Sequence, residues 1–459
     1  MRRLAAAAVF LSLAVAGCGG DGQDQDDDSS REALTVWIQE NQPERVRAAR
    51  DDVADFTRRT GIEVEVVPLG DGELPERVAA ADRDDSLPDV MQSSIEDARA
   101  FADRGVLDTG AATQVVSELG EQTFSARALG LLTTSGGSLA AVPSDGWGQL
   151  LIYRKDLFDR AGLPAPDTLE RVRTAARRLT RAGMAGITLA TKGGDGFTAE
   201  TFEHVALASG CQLVEAGGDV TLTSERCRRA FARYVELARD FSPGGVQDVE
   251  STRDTYFAGK AAMILWSPFL LDAMAGLNDE AVPSCPHCDD DPAYLAEHSG
   301  LIGPLASADA PPAQYGTITT WGIGRGAAPA AQRLVRYLLS DGYLRWLAIS
   351  PQGKYPVRAG DAEDFDRYAR GWAELESGVD RRAPLSRFYS AESIASLGDG
   401  VRSFQRWGFQ QDQVELVGAM SDLQPVTEAL AAAIRGDVTP DEAAAKAQSA
   451  VEQLQHSLR

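Results

Sequence analysis

From residue 34 onward, short apolar runs alternate with longer stretches whose apolar positions recur every three or four residues. Leu34-Thr35-Val36-Trp37-Ile38 is rich in β-formers and predicts a strand with Trp37 in the core. Pro43 stands where a helix takes its first position. Val46, Ala49, Val53 and Phe56 then recur at helical spacing until Gly61 stops the run. Ile62-Glu63-Val64-Glu65-Val66 alternates strictly, which predicts a strand with one wet face. Pro88-Asp89-Val90-Met91-Gln92 predicts another short strand, with a helix near 96–104 after it. Strand–helix–strand repetition of this kind builds a mostly parallel sheet with right-handed crossovers.

A second unit starts near Trp147. Leu150-Leu151-Ile152-Tyr153 reads as a buried strand, and Asp167 with Glu170 three residues on reads as a capping box. Leu169, Val172, Ala176 and Leu179 form the apolar stripe of the helix that follows. Further helices fit 199–209 and 224–240, with a strand over 262–266. Thr439-Pro440-Asp441-Glu442 is a helix start, with Thr as cap, Pro first and Glu third.

Length changes this picture little: 459 residues fit two or three domains rather than one core. Charge says more. The formal net charge of −23 argues against nucleic acid or an anionic membrane surface as the main partner. No apolar run reaches the roughly 18–20 residues of a spanning helix. The first 17 residues read as an export signal: Arg2 and Arg3, then the apolar stretch Leu4–Ala16. Val15-Ala16-Gly17-Cys18 resembles the bacterial lipobox, which implies acylation of Cys18. Residues 18–32 hold nothing to bury and read as a flexible acidic tether. The expectation is an exported protein held at the cell membrane by lipid alone, facing outside.

An oxidising compartment gives the remaining cysteines a structural role. Three pairings are open to Cys211, Cys227, Cys285 and Cys288; the local ones, 211–227 and 285–288, are favoured because each is close in sequence. Cys285-Pro286-His287-Cys288 is also similar to the redox motif of thiol–disulfide oxidoreductases. No strand–turn–helix surrounds it, however, and three nearby carboxylates disfavour a thiolate. The chain lacks a P-loop, a serine-nucleophile motif and metal-spaced histidines. Neither an enzyme nor a cofactor or metal site is expected.

Several pieces together resemble the extracellular solute-binding proteins of ABC importers, in the sugar-binding group that includes maltose-binding protein. They are Tyr153-Arg154-Lys155-Asp156-Leu157-Phe158 with Ala161-Gly162-Leu163-Pro164, Phe257-Ala258-Gly259-Lys260-Ala261-Ala262-Met263, and Gly353-Lys354-Tyr355-Pro356-Val357-Arg358. The Gly436–Ala443 helix entry closes the series. The resemblance implies a type II periplasmic-binding-protein-like α/β fold. Its two lobes would be 33–143 plus 303–350 and 144–302 plus 351–459, with three hinge crossings and the ligand in the cleft between them. It also implies a monomer that captures a carbohydrate by hinge closure and delivers it to a membrane permease. A polyol phosphate or peptide-like solute is the alternative cargo.

A sugar needs donors and acceptors for its hydroxyls and an aromatic face for its C–H side. Trp147, between two glycines, is the leading candidate. Asp145 beside it either meets hydroxyls or caps a turn. Phe269 matches a position where the family stacks an aromatic on its ligand, whereas Trp266 ends a strand and reads as core. Trp321 enters a loop that relatives aim at the cleft. Glu40 and Asn41 follow the first strand, with helix capping as the other role for Asn41. Gln92, Ser93 and Ser94 end the third strand. Arg358 either donates to ligand oxygen or ties down the hinge.

Overall fold

A computed structural model describes residues 33–70 and 72–458, so the expected signal peptide 1–17, the tether 18–32 and Cys18 lie outside the described residues. The first strand, β1 (Leu34–Ile38), runs parallel to β2 (Val64–Pro68) and to β3 (Val90–Ser94). Between β1 and β2 lies the helix Pro43–Thr60, ended by Gly61 in the left-handed region at φ 71°. β2 and β3 each start two residues later than the apolar pattern predicts. The ladder sets the bounds: Leu34 faces Val64, and Asp89 uses its carboxylate instead, accepting from Thr35 N at 2.9 Å and Ala328 N at 3.1 Å.

β4 (Val142–Gly148) completes the first passage through this sheet, and Gln149 alone separates it from β5 (Leu150–Arg154) in a second sheet. There β5 lies between β6 (Met263–Trp266) and β7 (Ser299–Ile302), antiparallel to both. The hairpin β8 (Leu305–Ser307) and β9 (Ala310–Ala313) packs on the helices Leu169–Leu179 and Gly196–Ala208. β10 (Gly316–Ile323) then returns to the first sheet between β3 and β4, and β11 (Tyr355–Pro356) adds to its edge beside β4. The six-stranded order is β11-β4-β10-β3-β1-β2. Only β2, β1 and β3 are parallel. The expected mostly parallel sheet fails because β10 enters from the second sheet and meets both neighbours head to tail.

Helix starts follow local chemistry. Asp195, Ser224 and Thr439 each accept a hydrogen bond from the third residue of their helix, and Thr439 with Glu442 forms the expected capping box. At 168 the expectation is corrected: Thr168 is the cap, because Asp167 is spent on Arg171 at 2.6 Å and Glu170 on Arg233 at 3.0 Å. Gln42, not Asn41, occupies the cap position of the first helix. The two local cysteine pairs, Cys211–Cys227 and Cys285–Cys288, are bonded. Among the described residues no helix is long and apolar enough to cross a membrane.

Candidate functional site

The carboxyl ends of β1, β3 and β4 face the same side of the first sheet, where open α/β sheets bind ligands. Glu40 and Asp145 meet there around one cation. Lys354 Nζ lies 2.8 Å from Glu40 Oε1, 3.8 Å from Asp145 Oδ1 and 4.5 Å above the Trp346 ring. Arg45 reaches Glu40 Oε2 at 3.4 Å, and Asp145 Oδ2 accepts from Ser144 Oγ at 2.7 Å and Trp346 Nε1 at 2.9 Å. Burial works against the Glu40 charge, but Lys354 and Arg45 outweigh it and hold the carboxyl below its usual value. Burial likewise opposes the Lys354 charge, and Asp145 and Glu40 reverse that and raise it. Lys354 sits inside the Gly353–Arg358 segment that resembles the family, yet no residue-type argument singles it out.

Gln92 and Ser93 are buried within the sheet. Gln92 Oε1 accepts from Gln39 N at 2.8 Å, and Ser93 Oγ lies 2.8 Å from Thr320 Oγ1 across the ladder. Ser94 caps the helix Ile95–Asp103, accepting from Asp97 N at 3.0 Å. Asn41 is exposed at the end of β1.

The aromatic candidates separate. Trp147 is half-buried, 5.5 Å from Phe269 edge to face and 6.1 Å from Tyr315. Gly146 beside it has no room for a side chain, since a Cβ there meets Thr317 O at 2.7 Å. Phe269 comes from the second sheet's side, remains 41% exposed and packs over Gly353. Trp266 is buried at the end of β6 and packs against Phe197 with the rings tilted, centroids 4.5 Å apart.

Trp321 differs from the sequence expectation, and of the two roles open to Arg358 its contacts are those of a structural tie rather than of a free ligand donor. Trp321 is 1% exposed and packs against Trp346 at 4.7 Å, because its register opposite Gln92 turns the ring into the core. Arg358 is 3% exposed with its donors spent on Thr123 Oγ1, Leu339 O, Tyr368 Oη and Leu119 O. It ties the chain after β11 to the helices beside the first sheet.

A cavity of about 840 Å³ opens between the helix Ile95–Asp103, on the first sheet, and the helix Gly196–Ala208, beside the second. That is within the roughly 300–1,000 Å³ range of small-molecule sites. Tyr315 and Thr317 line it from the strand entry, and Arg406 with the helix Val414–Leu423 closes one side. Arg406 pairs with Glu96 on the first-sheet side and lies 3.6 Å from Glu203 on the other, so one guanidinium bridges the two walls. Burial raises the Asp97 carboxyl to about 6, with Glu96 adding to it. Burial raises Glu200 to about 7, with Glu96 and Glu203 adding to it against Arg406 and Gln149.

The sequence argument missed Glu96, Glu200, Glu203, Tyr315 and Arg406. A signal existed for two of them. Phe197, Phe202, Val205, Ala206 and Leu207 make the helix Gly196–Ala208 apolar around much of its circumference, so Glu200 and Glu203, about one turn apart, mark a separate charged face, the one that lines the cavity.

The pattern of the family described as bacterial extracellular solute-binding protein matches residues 40–344. YcjN of Escherichia coli K12, named as an ABC transporter periplasmic-binding protein, is 26% identical over 314 residues, covering 66% of this chain and 68% of its own. Maltose-bound MalE3 of T. maritima superposes with a TM-score of 0.67 at 19% identity, over 92% of this chain and 100% of that one. The cyclic α-maltosyl-1,6-maltose binding protein of Arthrobacter globiformis gives a TM-score of 0.69 at 16% identity, over 92% and 98%. These likenesses establish the two-lobed α/β fold of the periplasmic binding proteins.

Proposed function

The chain belongs to the bacterial extracellular solute-binding proteins, and from that premise we propose that it is the lipid-anchored substrate-binding component of an ABC transporter for a carbohydrate. On this reading the lobes are 33–143 plus 303–350 and 144–302 plus 351–459. Closure about the segments joining them grips the sugar, and the closed form is presented to the permease. A ligand drives closure only by binding the closed form more tightly than the open one. One observation carries the reading: the 840 Å³ cavity has one wall from the helix Ile95–Asp103 on the first sheet and one from the helix Gly196–Ala208 beside the second, and offers both aromatic and hydrogen-bonding groups. The maltose of the T. maritima neighbour and the maltosyl-maltose of the Arthrobacter neighbour fit a hydroxyl-rich cargo.

A phosphorylated cargo is disfavoured, because seven carboxylates and only two arginines line the cavity. A thiol–disulfide activity is disfavoured because the residues after Cys288 form turns rather than the helix whose dipole lowers a thiol pKa. The test is a thermal-shift screen against neutral and modified sugars. A binder at about 100 times its dissociation constant adds roughly 2.7 kcal/mol of stability. With the best binder, Tyr315→Ala in the cavity wall is expected to weaken affinity at least tenfold, and Trp147→Ala, whose ring packs 6.1 Å from Tyr315 outside that wall, to weaken it less. Unchanged affinity in Tyr315→Ala moves the site away from this cavity, and no shift with any sugar refutes the carbohydrate reading.

A further inference from the structure

We propose that the cavity is built for a sugar or polyol bearing a protonated amine, an inference that rests on the carbohydrate reading and narrows it. Its walls are short of positive charge at their centre. Glu96 and Glu203 share Arg406, while Glu200 and Asp97 have no ion-pair partner among the described residues. The groups facing Glu200 are Glu96 and Asp97 on one helix, Glu203 on its own, Tyr315, Arg406, and Gln149, whose Nε2 donates to Glu200 Oε2 at 3.1 Å. Glu415 and Asp422 on the third wall and Asp103 at the end of the helix Ile95–Asp103 add negative charge. Arg104 beside Asp103 is the one further cation among the described residues that line the cavity, favouring the Asp97 charge without pairing with it.

One further observation points to a hydrogen-bonding guest. Tyr315 is 95% buried and lines the cavity with its ring under Arg406 at 4.6 Å, yet its hydroxyl makes no hydrogen bond among the described residues. Arg406 Nε, 3.6 Å from Glu203, is a buried donor without a hydrogen bond and suits a sugar hydroxyl, whereas Glu200 and Asp97 lack an ion-pair cation and suit an ammonium, which offers donors only. A bare metal ion is a poorer fit: among the described residues no three Asp, Glu, His or Cys side chains stand close enough to hold one. A site at which carboxylates outnumber cations selects against neutral isosteres as well as against anions.

The experiment titrates the whole exported protein by calorimetry with matched pairs, glucosamine against glucose and 1-amino-1-deoxysorbitol against sorbitol, beside the neutral-sugar screen. The expected result is at least a tenfold preference for the amine within a pair at pH 7.5. That preference should shrink at pH 5.5, where Glu200 and Asp97, at about 7 and about 6, take up protons. Glu200→Gln should bring the two members of the pair within threefold of each other. Equal affinities in the native protein, or tighter binding of the neutral member, overturn the proposal and leave the carbohydrate reading intact. A preference that survives Glu200→Gln at both pH values overturns its assignment to this cavity. Silence across every sugar, amine or neutral, overturns both readings together.

Discussion

Replacing Lys354 with methionine removes the one cation that Glu40 and Asp145 share while keeping most of the side-chain volume. Glu40 is 8% exposed and Asp145 is fully buried, so neither carboxylate gains solvent in exchange. At an effective dielectric of about 20, the 2.8 Å pair with Glu40 amounts to roughly 6 kcal/mol of attraction before desolvation. Arg45 at 3.4 Å keeps part of the Glu40 charge compensated. The net loss expected for Lys354→Met is therefore the about 3–5 kcal/mol typical of a broken buried pair. Urea unfolding followed by tryptophan fluorescence at pH 7.5 measures it.

The pH dependence gives a second reading of the same chemistry. In the native protein the Glu40 carboxyl lies below its unfolded value of 4.5, so its stabilisation is present above 4.5 and is lost as pH falls through the folded value. Without Lys354, burial dominates and the carboxyl rises above 4.5. The penalty is then largest at neutral pH and shrinks as pH falls through the raised value. The double variant Lys354→Met with Glu40→Gln should regain part of the loss. A single-variant loss under about 1 kcal/mol, or one that does not shrink on acidification, refutes the reasoning.

His204 is fully buried, accepts from Tyr315 N at 3.2 Å and has its pKa pushed by burial from 6.5 down to about 3. The unfolded chain alone binds that proton between those values, so the group costs up to about 1.4 kcal/mol of stability per pH unit as pH falls from 6.5 toward 3. His204→Gln should flatten the slope of urea-derived stability between pH 6 and 4; parallel slopes exclude the effect. Replacing Cys211 and Cys227 with serine opens a loop of 16-residue separation and should cost about 3 kcal/mol, against about 1.6 kcal/mol for Cys285 and Cys288 at a separation of 3. Equal losses for the two pairs would contradict the loop argument. Thr439→Ala removes the side-chain half of a capping box, leaving the backbone N–H of residue 439 on Glu442, and should cost about 1 kcal/mol in thermal unfolding, with no change in sugar affinity.

The elements most legible from sequence are those whose ends are chemical. The helix Pro43–Thr60 has proline at its start and glycine at its end, and the helix Pro440–Ser457 has its capping box. Ladder bounds were less legible, because the start of β2 depends on where Leu34 lies, thirty positions away in the chain. The direction of β10 was not legible at all, since antiparallel entry is set by its return from the second sheet. Glu40 was singled out by reading the end of the first strand, and Trp147, with Asp145 beside it, by its flanking glycines and by the family resemblance. Trp321 was misread because one register position separates a ring in the core from a ring facing out. Arg406 gave no signal: its partners Glu96 and Glu203 are about 310 and 203 residues away, and only tertiary structure brings them to it.

With only Gln149 between them, β4 and β5 carry the pleat of one sheet straight into the other. Its N–H donates to Tyr315 O and its carbonyl accepts from Gln314 Nε2, which pins this junction to the returning chain. The inward and outward phases of the two sheets are thereby geared together at a single peptide unit. Adding or deleting one residue there would reverse the facing of an entire strand on one side of the molecule relative to the other. Evolution can lengthen the surface loops of such a protein freely, but it cannot change the count at this joint by one without rewriting a core.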